Sequence, residues 1–103
     1  MKPPVIDIRP AEWEIVRGIL ERHLPDREVW AFGSRAKGTA KPFSDLDLAV
    51  LGSEPVPLAV RAELADDFSE SDLPFKVDLV DWATTSARFR KVIEGERVVV
   101  QTD

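Results

Sequence analysis

A chain of 103 residues, 44% hydrophobic and 32% charged, has the composition of a globular domain, with enough length for one modest core between two layers. Its formal net charge of −5 argues against nucleic acid as partner, because sequence-independent binding needs a basic face. The absence of cysteine excludes disulfides, cysteine zinc sites and thiol catalysis, and no apolar run approaches the roughly 20 residues of a membrane span.

The opening Met1-Lys2-Pro3-Pro4-Val5-Ile6-Asp7 has no apolar signal region. Residues 1–9 are expected to be an arm on a single domain spanning 1–103, with the cytoplasm as its location. Residues 11–24 have helical period, with Trp13, Val16, Ile19, Leu20 and Leu24 on one side. Pro10 suits the start of that helix and Pro25 its end. His23 falls in the last turn as a surface histidine, with no second histidine to share a metal. Residues 28–32 predict a short buried strand. A glycine-serine turn follows at Gly33-Ser34, with one helical turn at 34–37 closed by Gly38, then a loop carrying Pro42.

Residues 45–51 predict a second strand, broken by Gly52-Ser53-Glu54-Pro55. A helix is expected from about Pro57 to Ser69, its stripe traced by Leu58, Arg61/Ala62, Ala65 and Phe68 with Leu64 beside it. Residues 75–81 predict a third strand. Ser86 caps a further helix running to Glu94, stopped by Gly95, and residues 97–101 form a fourth strand at an edge, open to another copy or a partner. Helices interleaved with strands predict an α/β or α+β sheet layered with helices.

The chemistry concentrates in residues 33–47. Successive strand side chains alternate faces, so Asp45 and Asp47 share one face about 7 Å apart, opposite Leu46 and Leu48. In the third strand Asp78 shares its face with Val80, opposite Val77 and Leu79; if the two strands are neighbours, Asp78 joins the pair. Asp81 has the wrong parity. Three converging carboxylates repel one another unless a cation neutralises them, and magnesium suits carboxylates together with phosphates. Gly33 lets the backbone come close to a phosphate, and Ser34 and the following amides can hold it. No Walker-type loop exists in the chain. Arg35 and Lys37 are expected as exposed loop cations that could touch phosphate, with Ser44 either orienting Asp45 or ending the loop. Trp13, Trp30 and Trp82 suit core or rim packing, Trp82 being the one placed to touch a partner.

Gly33-Ser34, ten residues, then Asp45-Leu46-Asp47 resembles the signature of the polymerase-β-like nucleotidyltransferase superfamily, and the small size resembles its minimal nucleotidyltransferase (MNT) branch. The resemblance implies an α+β fold, a small mixed sheet packed against helices. It implies an enzyme that moves AMP from ATP, with Mg2+ (two ions), onto a hydroxyl. It further implies an antitoxin paired with a HEPN-domain toxin whose tyrosine is the acceptor. Carried over by position, Gly33, Ser34 and Arg35 would bind the nucleotide, Asp45, Asp47 and Asp78 would bind metal, and Asp78 could draw the proton from the acceptor hydroxyl. The competing readings are a non-catalytic antitoxin with a vestigial metal site, and transfer to a small molecule or an RNA end.

Overall fold

The computed structural model describes residues 4–102, so residues 1–3 of the expected arm lie outside the described part. The elements in chain order are α1 (Pro10–His23), β1 (Val29–Phe32), α2 (Ser34–Lys37), β2 (Leu46–Val50), α3 (Leu58–Glu70), β3 (Val77–Asp81), α4 (Ala87–Glu96) and β4 (Val98–Gln101), with a short 3-10 turn at Trp82–Thr84. The four strands form one mixed sheet in the order β3-β2-β1-β4. β1 is antiparallel to β2 and to β4, while β2 and β3 run parallel. The parallel pair requires a crossover, and α3 supplies it.

Strand alternation divides the sheet into two faces. Val29 and Ala31 of β1 and Leu46, Leu48 and Val50 of β2 face a main core closed by Trp13, Val16, Ile19 and Leu20 of α1 and Leu64 and Phe68 of α3. Trp30, Phe32 and Ala49 face the other way, where α4 covers them with Ile93. Leu46, Leu48, Leu64 and Ile93 are among the largest fully buried side chains. Pro10 occupies the first position of α1, and the Arg9 amide donates to Glu12 Oε1 at 2.9 Å, one of the orphan donors of a helix start satisfied by a nearby carboxylate. The Ser86 hydroxyl caps α4 by accepting the Phe89 amide at 3.2 Å.

The structure corrects several expectations. The buried stripe of α3 is Leu64 and Phe68 with Val60 packed against the core, and Leu58 is 85% exposed. These residues are four apart and stack on one face; Leu58 falls outside that row. Gly95 does not stop α4, which continues to Glu96; tertiary packing outweighs the modest helix penalty of one glycine. Asp45 lies just before β2 and is exposed. His23 is half-buried: its Nε2 lies 2.5 Å from Asp67 Oδ2 and its Nδ1 3.4 Å from Glu63 on α3, so it bridges two helices. Among the described residues, no helix is long and apolar enough to cross a membrane.

Leu48→Ala, at the centre of the main core, should cost about 2–5 kcal/mol, read as a lower urea midpoint with an unchanged slope.

Candidate functional site

The parallel register of β2 and β3 places Asp47 directly beside Asp78. Asp47 is also opposite Phe32 at the end of β1. The chain leaves β1 there and turns at Gly33 with φ +77, in the left-handed region that favours glycine. A Cβ at Gly33 would collide with the Asp47 carboxylate, so this glycine is required twice, for its dihedral and for its missing side chain. α2 follows for one turn and ends on Gly38 at φ +76, whose amide bonds Ser34 O. The first amides of a helical turn have no partner within it, and those of α2 begin beside Asp47.

Asp47 carries the largest pKa shift of the acids among the described residues. Its pKa rises to about 6, first because burial penalises the charged form, then because Asp78, Asp45 and Glu96 add negative potential. Glu96, in the last turn of α4, is a fourth acid that the sequence did not single out. Its Oε1 accepts the Gly33 amide at 2.9 Å, and its Oε2 lies 3.4 Å from Lys37 Nζ. Recognising it needed the register of α4 against the turn; its place after Gly95 suggested only a helix end. As they lie, no three histidines, aspartates or glutamates among the described residues enclose one cation.

The structure overturns the expectation for the Arg35 side chain. Arg35 is 6% exposed. Its Nε donates to Ser44 O at 2.9 Å, Nη1 to Asp7 O at 2.7 Å and Nη2 to Pro42 O at 3.1 Å, and the guanidinium lies 4.0 Å over the Phe75 ring. A rigid planar fork of donors suits this task; it binds the loop that carries Asp45 to the N-terminal arm and leaves no side-chain group aimed at a phosphate. The Asp7 amide returns a bond to Arg35 O at 2.8 Å. Ser44 likewise closes a turn, its hydroxyl accepting the Lys41 amide at 2.9 Å. Lys37 is exposed as expected. Asp81 lies on the core face, buried, with Oδ2 accepting the Val56 amide at 2.8 Å. Trp13 and Trp30 are buried; Trp82 is half-buried at the rim, 5.2 Å edge-on to Trp30 and under Arg90.

Residues 14–103 match the family described as polymerase beta nucleotidyltransferase. The chain is similar to the "probable protein adenylyltransferase MntA" of Haemophilus influenzae, with 54% identity over 96 residues, 93% of this chain and 84% of that one. It is also similar in structure to a toxin–antitoxin crystallised with AMP-PNP (TM-score 0.74, 27% identity, 88% of this chain and 73% of that one). The MNT antitoxin complex with the tri-AMPylated HEPN toxin of Shewanella oneidensis shares the fold (TM-score 0.66, 24% identity, 88% and 70%).

Two outcomes test this geometry. A folded-state pKa above the ordinary value means that ionised Asp47 costs stability, a cost present above about pH 6 and gone below the unfolded value near 3.8. In EDTA, Asp47→Asn should therefore stabilise the chain at pH 7–8 by on the order of 1 kcal/mol after allowance for solvent screening, with the gain fading in urea titrations as pH falls from 6 to 4. Arg35→Lys keeps the charge and loses the fork, so it should cost about 1–3 kcal/mol; an unchanged urea midpoint would return Arg35 to the role of a surface cation.

Proposed function

This chain belongs to the polymerase β nucleotidyltransferase family, and we propose that it transfers AMP from ATP to a hydroxyl, the acceptor being a tyrosine of a HEPN toxin partner, as the enzymatic antitoxin of the pair. The observation that carries this reading is the side-by-side placement of Asp47 and Asp78 against a turn whose glycine must lack a side chain. Support for the acceptor and partner comes from the relative named as a protein adenylyltransferase and from the similar toxin–antitoxin crystallised with an ATP analogue.

In this reading Gly33, Ser34 and Arg35 hold the triphosphate through main-chain amides at the start of α2, with the Ser34 hydroxyl beside them; Arg35 contributes its amide alone. Asp45, Asp47 and Asp78 would hold Mg2+. The donor set fits: oxygen ligands only, with Asp47 pushed up to about 6 first by burial and then by the neighbouring acids, a penalty on its charge that a hard divalent cation relieves. When bound, the metal supplies counter-charge for the triphosphate and for the attacking and leaving oxygens. Asp78 is exposed on the open side of β3, where an acceptor hydroxyl can approach. It takes the hydroxyl proton as that oxygen bonds to the α-phosphorus and pyrophosphate leaves. Gly33 keeps the phosphate-holding backbone in van der Waals reach of Asp47, so triphosphate and carboxylates are positioned by one turn.

The test is transfer of label from α-labelled ATP to the toxin in magnesium. Asp45→Asn and Asp47→Asn should each lower the rate about a hundredfold or more, and EDTA should abolish it. If the wild-type chain never labels the toxin while both variants still silence it, the protein is a binding antitoxin. Label appearing on RNA or a small molecule instead would replace the acceptor and leave the transferase reading in place.

A further inference from the structure

Glu96 occupies a position that a negatively charged substrate group would take. Its carboxylate accepts the Gly33 amide through Oε1 and faces the Lys37 ammonium through Oε2. An amide donor and a lysine are also what a phosphate oxygen seeks. The side chain of Glu96 is 23% exposed and that of Lys37 49%, so neither is locked by packing. The position is electrostatically awkward. Glu96 brings a further negative charge toward Asp47, and its field adds, as the smallest contribution, to the raised pKa of that acid. A carboxylate needed only to fasten α4 would be less costly away from other acids. The Gly33 amide has one proton, and it cannot serve Glu96 and a triphosphate together.

We propose that Glu96 is a built-in place-holder for a nucleotide phosphate, displaced from the Gly33 amide when the triphosphate binds, and that Lys37 then passes from Glu96 to the phosphate as a substrate-binding residue. This rests on the transferase reading above and adds two residues to its site. The resting chain thus keeps its phosphate-binding amide satisfied, and nucleotide affinity is set by competition between an internal anion and an external one. Because Glu96 ends α4 with only Arg97 between it and β4, displacement also releases the contact between that helix end and the turn.

Calorimetry of Mg-ATP binding tests the proposal. Glu96→Gln preserves size and removes the charge, so it should tighten Kd about three- to tenfold, the scale of one charge-assisted bond lost by the competitor. Glu96→Asp shortens the arm and loosens its hold on Gly33, so it should tighten Kd to a lesser degree. Lys37→Gln should weaken Kd by a similar factor of about three to ten. Equal or weaker binding by Glu96→Gln, with wild-type binding intact, overturns the place-holder and leaves the transferase reading standing. Absence of Mg-ATP binding in the wild type and in both Glu96 variants overturns the two together.

Discussion

The parallel pairing of β2 with β3 is the constraint on which the site depends. Register sets Asp47 beside Asp78, and a slip by one residue would turn every side chain of one strand to the other face. The slip is prevented by the core. Leu46 and Leu48 are fully buried on the opposite face, so moving them outward would expose the centre of the molecule. The hydrophobic energy of one face therefore holds two mutually repelling carboxylates together on the other. Burial first and that repulsion second raise the pKa of Asp47, a local instability retained where function needs charge.

Around this pair the chain is fastened by polar contacts with definite tasks. Gly33 brings the backbone against Asp47, and its left-handed dihedral starts α2 at the right place. Arg35, one residue after Ser34, reaches back under the loop and binds carbonyls of the arm and of residues 42 and 44. The motif residues thus divide between two directions: main chain toward the acids, Arg35 side chain toward the interior. Asp81 does comparable work at the far end of β3, where it anchors the Val56 amide.

The second face of the sheet is only partly covered. α4 packs Ile93 over Trp30, Phe32 and Ala49 and leaves the end of the sheet with Asp47 and Asp78 accessible. Phe89 stands edge-on to Phe32 at 5.7 Å and Val92 remains 45% exposed. The helix that closes the small core therefore also borders the site, and its last turn delivers Glu96 to Gly33. The one residue by which α4 continues past Gly95 is Glu96 itself.

Periodicity and spacing alone determined the element order, the opposition of Leu46 and Leu48 to Asp47, the parity of Asp78 and the unsuitability of Asp81, because strand alternation is a local geometric rule. The glycine-serine turn was legible for the same reason: few residues tolerate its backbone. The fates of Arg35, Glu96 and His23 were decided only by the tertiary structure. Each is a charged or polar side chain whose partner lies on a segment distant in sequence: Asp7 for Arg35, Gly33 for Glu96, Asp67 for His23. No local pattern encodes such a pairing, since a flexible side chain goes where packing places a carbonyl, an amide or a counter-charge. The strands carry the acids by a rule written in the sequence, whereas the contacts that hold and guard them exist only once the layers have met.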